Sequence, residues 1–234
     1  MKFAWRIGLA CVNRQYTGRS IFSIVKGTNG FSKPFTIELF DGSASYYYLK
    51  PYKDKFPSLI IHCDGVKRNV VQNFWWMWST ISRNTVWSMM FPDDFVVCRD
   101  FLKYADYFCN KYKDEYDIFS FWTPYKEICE EYKKGNDHWV IPKLKFWGGI
   151  GLAMKSEVMR ELARYVKEKG FHNLKKQGDM IINKFSAETN RPILACVPNL
   201  CDHTGIVSTI FHRWAGFKTP CFIGEDKSPF EIIV

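Results

Sequence analysis

The sequence predicts an α/β fold: a mostly parallel sheet flanked by helices, in a single domain. Three observations predict it. Short apolar runs alternate with segments of helical period, 47% of the 234 residues are apolar, and no Pro-, Gly- or Ser-rich linker, repeat or low-complexity tract divides the chain. A chain of this length buries a substantial core as one domain.

The elements follow in order. Residues 3–12 read as a first buried strand, 20–26 as a helix, and 34–40 as a second strand ending in Asp41-Gly42-Ser43. Residues 59–62 make a third strand. From Arg68 to Ile81 the apolar residues Val70, Phe74, Met77, Trp78 and Ile81 share one helical stripe, with Trp76 opposite it. Residues 85–91 are a fourth strand, a largely apolar run of the kind that a strand covered on both faces shows. Asp100 opens a helix with Phe101, Tyr104, Ala105, Phe108 and Tyr112 on one side, and 118–122 is strand-like. The Gly-rich 148–151 leads into a basic helix capped by Ser156, burying Val158, Leu162 and Val166 and turning Arg160, Arg164 and Lys167 outward.

Composition narrows the partners. The amino terminus enters a strand-like run at once, without the apolar segment of a signal peptide, and no apolar stretch approaches a membrane span; a soluble cytoplasmic protein is expected. Eight cysteines are scattered without a Cys-x-x-Cys pair, which reads as reduced core thiols. Cys196, Cys201 and His203 are the one zinc-like cluster, and they lack a fourth ligand at zinc-site spacing. A net charge of +9 exceeds what an anionic nucleotide donor needs. The surplus points to a polyanionic acceptor or an acidic surface, although a solvated basic face gives the same count.

One segment carries metal chemistry. The fourth strand ends abruptly in Phe91-Pro92-Asp93-Asp94, and the carboxyl ends of strands are where open α/β sheets bind ligands. Hard carboxylate oxygens there suit Mg²⁺ or Mn²⁺, which would neutralise a nucleotide diphosphate. The same Pro-Asp-Asp is equally readable as a strand-to-helix turn.

In order, seven segments of the chain resemble the GT-A nucleotide-diphospho-sugar glycosyltransferases, over about residues 3–208. Ala10-Cys11-Val12-Asn13-Arg14 is similar to the family's opening strand and nucleotide-contacting loop, and Phe40-Asp41-Gly42-Ser43 to the turn that meets the base. Gly65 through Arg68 to Asn73 resembles the helix start near the donor. Phe91-Pro92-Asp93-Asp94 stands in the place of the DxD motif, with Pro92 at its first acidic position. Trp147-Gly148-Gly149-Ile150-Gly151 resembles the glycine loop that lets donor and acceptor sugars approach backbone. Gln177-Gly178-Asp179 resembles the acidic motif whose last Asp is the base of inverting members, with Gly178 in place of its middle acid; Cys201-Asp202-His203-Thr204-Gly205 resembles the His-x-Gly element.

The resemblance implies a GT-A domain over 1–234, with a donor-binding half over about 1–97 and an acceptor and catalytic half over about 98–234. It implies Asp94 and His203 as ligands of Mn²⁺ or Mg²⁺, with Asp93 as helper. Cys11, Asn13, Arg14, Asp41, Arg68, Asn73, Trp147, Gly148 and Gly149 would line a site for a nucleotide sugar, most simply a UDP-sugar, and Asp179 would be the base. Read from the residues alone, Asp179 also fits a helix cap, and His203 a core or surface histidine. Trp76 and the basic face of Arg160, Arg164 and Lys167 suggest a nucleic-acid acceptor. The leading expectation is therefore DNA carrying hydroxymethylated pyrimidines, as in bacteriophage genome glucosylation, with bacterial surface polysaccharide or lipopolysaccharide as the alternative acceptor. A non-catalytic nucleotide- or nucleic-acid-binding protein is the alternative of another class, kept open by Pro92 and Gly178.

Overall fold

The computed structural model describes residues 2–12, 15–147, 149–174, 178–204 and 219–232. Ten strands are described: β1 Phe3–Cys11, β2 Phe35–Asp41, β3 Ile60–His62, β4 Thr85–Pro92, β5 Phe95–Val97, β6 Ile118–Ser120, β7 His138–Ile141, β8 Leu152–Lys155, β9 Ile193–Cys196 and β10 Cys201–His203. The helices are α1 Thr17–Gly27, α2 Lys50–Lys55, α3 Val70–Ser79, α4 Phe101–Tyr112, α5 Glu127–Lys133, α6 Ser156–Glu168 and α7 Gly178–Glu188.

Eight strands form one sheet in the order β3-β2-β1-β4-β8-β6-β9-β7, and β10 pairs with β5 in a separate two-stranded ribbon. β1, β2, β3 and β4 run parallel, as do β6 and β9, whereas β8 and β7 are antiparallel to their neighbours. The sheet is mostly parallel, in a single domain. β1 and β4 are buried along nearly their whole length because helices cover both faces: α1 and α4 pack over Trp5, Ile7, Leu9 and Phe91, and α3, α6 and α7 over Ala10, Phe40 and Met90. Each large side chain so buried contributes about 1.5–3 kcal/mol.

The expected elements appear within a few residues of their predicted ends, with two differences that bear on the site. The Gly-rich segment does not run straight into the basic helix. β8 intervenes, antiparallel between β4 and β6, and thereby lays the glycines across the carboxyl end of β4. Ser156 is also not the cap of α6. It is the first helical residue and has no capping bond; its hydroxyl instead meets that of Ser88 on β4 at 2.7 Å, both side chains being buried. A polar pair between helix and sheet is a tertiary partner, invisible to a local capping rule.

Gly151 shows what the glycines do there. Its φ is +60°, and a Cβ would stand 2.9 Å from Cys201 Sγ and 3.3 Å from Phe91. Gly151→Ala therefore combines a left-handed backbone with overpacking and is expected to cost about 2–3 kcal/mol. In a domain of this size that lowers the thermal midpoint by roughly 5–10 °C, readable by calorimetry; an unchanged midpoint would mean that the loop relaxes freely.

Candidate active site

The site lies where β4 ends. Past Pro92, two adjacent carboxylates turn to different partners. Asp93 Oδ2 accepts from the backbone N–H of Val12 at 2.9 Å and from the Thr17 hydroxyl at 2.7 Å, so this buried carboxylate ties the end of β1 to the first turn of α1, where the helix dipole favours negative charge. Asp94, 5% exposed, has Oδ2 3.2 Å from His203 Nε2. The ribbon makes this meeting: β10 pairs antiparallel with β5, His203 opposite Phe95, and the Thr204 N–H donates to the Asp94 carbonyl at 2.9 Å. The turn before β10 is itself fixed, because buried Asn199 bonds both backbone groups of Thr123, at 2.9 and 3.0 Å.

The glycine loop faces the same strand end. A Cβ on Gly149 would lie 3.2 Å from Met90 Cε and 3.8 Å from Asp179 Oδ1, so Asp179, in the first turn of α7, opens onto the loop beside β4. Asn183, one turn further along α7, holds the loop's entrance: it accepts from the Phe146 N–H at 2.8 Å and donates to the Phe146 carbonyl at 2.5 Å. Trp147 next to it is 38% exposed. Asn183 escaped the sequence reading; its only signal was a polar residue among the buried Ile181, Ile182 and Phe185.

Asp41 ends β2 and is 1% exposed. Burial works against its charge, but Oδ1 accepts from the Ser43 N–H at 2.9 Å, the Ser43 hydroxyl at 2.6 Å and the Tyr48 hydroxyl at 2.9 Å, and Oδ2 from the Cys63 thiol at 3.4 Å. These bonds outweigh burial and hold its carboxyl below the ordinary range. Asn73 is buried, and its amide donates to the carbonyls of Phe40 and Cys11 at 3.1 and 3.4 Å. It laces the ends of β1 and β2 together and reaches the site through backbone. Cys11 is buried at the end of β1. Asn13, Arg14, Gly148 and Gln177 lie outside the described residues.

Arg68 and Trp76 depart from expectation. Arg68 pairs with Asp64, Nη1 to Oδ1 at 2.7 Å, and stacks 3.9 Å over the Trp76 ring, whose edge contacts are Phe40 and His62. Trp76 does lie off the buried stripe of α3, but Arg68 covers its face, so it is no open platform for a base. Cations flanking α6 are paired, Lys155 with Asp117 at 2.6 Å and Lys169 with Glu188 at 3.2 Å, and the helix's own Glu161 is taken by Arg191 at 2.6 Å. Arg160 is half-buried and donates to the Ser82 carbonyl at 3.1 Å. Arg164 and Lys167 are exposed.

The donor set fits a hard divalent ion in a limited way. Cis ligands of an octahedral ion with bonds of about 2.1 Å stand roughly 3 Å apart, and Asp94 Oδ2 and His203 Nε2 are 3.2 Å apart. Among the described residues no third His, Cys, Asp or Glu joins them, which leaves the remaining positions to diphosphate oxygens and water, the usual arrangement for Mg²⁺. The Cys196-Cys201-His203 zinc cluster does not assemble: both thiols are fully buried, burial pushes both well above the ordinary thiol range, and all eight cysteines are free.

Acid should destabilise the fold through Asp41 and Asp137. Asp137 is held at about 2, its bonds to Lys111, Tyr112 and His138 outweighing the effect of burial. Both folded pKa values lie below that of an unfolded aspartate, about 3.9, so their stabilisation is full above that pH and lost as pH falls through the folded values. The thermal midpoint is expected to drop from about pH 4 toward pH 2, with a shallower drop in Asp41→Asn; a midpoint flat to pH 2 would contradict this.

No protein-family model matches the sequence, and no curated protein matches it. Solved structures do match, and they share this chain's fold of a mostly parallel sheet flanked by helices. Residues 1–349 of S. aureus TarS superpose with a TM-score of 0.57 at 12% identity, over 83% of this chain and 58% of that one. The same fragment in complex with UDP-GlcNAc gives 0.60 at 11% identity over 83% and 56%, and the longer TarS chain 0.57 at 11% over 82% and 35%. This chain thus spans little more than half the length of the fragment it matches. Among the described residues no helix is long and apolar enough to cross a membrane.

Proposed function

We propose that this chain is a metal-dependent glycosyltransferase that moves a sugar from a nucleotide-diphospho-sugar, a UDP-sugar in the simplest case, to a hydroxyl acceptor with inversion. The observation that carries this reading is the Asp94–His203 pair at 3.2 Å on a strand end faced by a glycine loop and Asp179. The fold likeness to a structure holding UDP-GlcNAc supports the choice of donor. Asp94 and His203 would hold a divalent ion, which would supply Lewis-acid neutralisation of the leaving diphosphate. Asp179 accepts the proton of the acceptor hydroxyl as that oxygen attacks the anomeric carbon. Gly149, without a side chain, lets the sugar approach backbone. Asn183 keeps the loop at a fixed distance from Asp179 by holding Phe146.

The acceptor that the charge favours is DNA with hydroxymethylated pyrimidines, through the exposed Arg164 and Lys167 of α6 in a chain of net charge +9. Charge alone supports it, since Trp76 is covered. Neutralising Arg160, Arg164 and Lys167 together is expected to weaken DNA binding by roughly tenfold or more at moderate salt and to flatten its salt dependence, while sparing donor hydrolysis; unchanged DNA affinity removes the nucleic-acid reading.

The test of the function is release of nucleotide diphosphate from a panel of nucleotide sugars with Mn²⁺, with and without duplex DNA containing 5-hydroxymethylated pyrimidines, with the DNA mass read in parallel. Release that requires modified DNA, with a hexose or pentose mass gain, supports both enzyme and acceptor. Release indifferent to DNA keeps the enzyme and moves the acceptor to surface glycans. No release from any donor overturns the proposal in favour of a binding protein.

A further inference from the structure

Five of the eight cysteines are buried, and three reach the surface: Cys63, Cys129 and Cys221. Cys63 turns its thiol to Asp41. Cys129 and Cys221 are far apart in the sequence and meet in the fold. The Cys129 thiol, on α5, donates to the carbonyl of Pro220 at 3.3 Å, and that peptide group leads directly into Cys221. The contact leaves the Cys129 sulfur one peptide plane from the Cys221 Cα, within the reach that a disulfide requires. The two thiols also interact directly, and both are half-buried, open enough for a small reagent.

The pair joins α5 to a segment that bears on the candidate active site. Residues 219–223 lie along the turn before β10. The Thr219 N–H donates to Asp202 Oδ1 at 3.0 Å, its hydroxyl to the Thr123 carbonyl at 3.0 Å, and the Ile223 N–H to the Asn199 carbonyl at 3.4 Å. Asp202 Oδ1 also accepts from the His203 N–H at 2.9 Å, so one carboxylate holds both this segment and the candidate metal ligand. Further along, exposed ion pairs tie the chain to α1, Arg19 to Glu225 at 2.5 Å and Lys26 to Asp226 at 2.8 Å, and such pairs contribute little in water. A covalent bond at Cys221 is a stronger fixture than either.

We propose that Cys129 and Cys221 are a redox-active dithiol that closes into a disulfide on meeting a small disulfide such as oxidised glutathione, bracing residues 219–223 against α5. The Cys129 thiolate attacks one sulfur of the glutathione disulfide, forming a mixed disulfide and expelling one glutathione thiolate, which takes up a proton. Cys221 then loses its proton to solvent and attacks Cys129 Sγ, forming the Cys129–Cys221 bond and expelling the second glutathione. The two cysteines are oxidised, and the glutathione disulfide is reduced to two thiols. Cys221 acts second because burial and its hydrogen bond to Cys129 push its thiol up, against the opposing pull of Lys133. Burial shields the other five thiols from glutathione. The inference concerns neither donor nor acceptor and stands whether or not the chain is a transferase.

Mass spectrometry of the full chain, equilibrated without denaturant in mixtures of reduced and oxidised glutathione and then alkylated, tests it. The parent is expected to lose two alkylatable thiols together and to yield one cross-linked peptide pair, Cys129 with Cys221. Cys221→Ser is expected to stop at a glutathione mixed disulfide on Cys129, and Cys129→Ser to form no cross-link. Calorimetry reads the brace: the oxidised parent is expected to melt roughly 5 °C or more above the reduced one, and the gain to vanish on reduction. Cys129 and Cys221 alkylated independently at every glutathione ratio, or either one bonded to a different cysteine, would overturn the dithiol. A Cys129–Cys221 bond that leaves the midpoint unchanged or lower would overturn the brace. Both readouts are taken without nucleotide sugar or metal, so they fail or hold separately from the glycosyltransferase reading.

Discussion

Asp94→Ala is expected to lower turnover with a nucleotide sugar by about 10²–10⁴-fold and to abolish the metal dependence of donor binding, because a metal clamp on a leaving diphosphate contributes several kcal/mol to the transition state and each 1.36 kcal/mol is tenfold. Asp94 is nearly buried and its carboxylate meets His203, so a loss of folding mimics a loss of the metal site. The thermal midpoint and the donor affinity measured in chelator separate the two. A folded variant that binds donor equally with and without Mn²⁺ is the predicted state. Turnover within threefold of the parent would remove Asp94 from the reaction.

Asp179→Asn is expected to lower the transfer rate by about 10²–10⁴-fold while leaving the fold intact. Asparagine matches aspartate in size and in capping ability, and the dipole interaction it gives up at the start of α7 is about 0.3–1 kcal/mol. It does not accept a proton. If Asp179 merely starts the helix, the variant keeps its rate and its thermal midpoint. Single-turnover transfer, read against donor affinity, distinguishes these outcomes, since a lost base lowers the chemical step and leaves donor binding unchanged.

Much of the sheet was legible because β1 and β4 are covered on both faces, and a strand so placed is written as a mostly apolar run, here broken only by Arg6, Thr85 and Ser88. β5, β7, β8, β9 and β10, three or four residues long, were not read, although the equally short β3 and β6 were, because runs of this length carry no period to decide by. The pair Asp93-Asp94 stood out in the sequence, but their division of labour did not. Successive residues turn to different sides, and only the fold reveals that Val12 and Thr17 wait for one and His203 for the other. That meeting depends on β10 lying against β5, more than a hundred residues earlier in the chain. Trp76 shows the converse. Helical spacing placed it off the buried stripe, yet the cation over its ring comes from Arg68, in the loop before α3, so a residue exposed on its own helix is covered in the molecule. Ser156 failed as a cap because its hydroxyl has a better partner across the sheet.

The account rests on Asp94 and His203 jointly holding a divalent ion beside the donor diphosphate. The most direct measurement is Mn²⁺ binding in the presence of UDP, followed by electron paramagnetic resonance, in the parent chain, Asp94→Ala and His203→Ala. The account predicts one UDP-dependent Mn²⁺ per parent chain, none in Asp94→Ala, and binding weakened by roughly tenfold or more in His203→Ala. Equal Mn²⁺ binding in all three chains would contradict it.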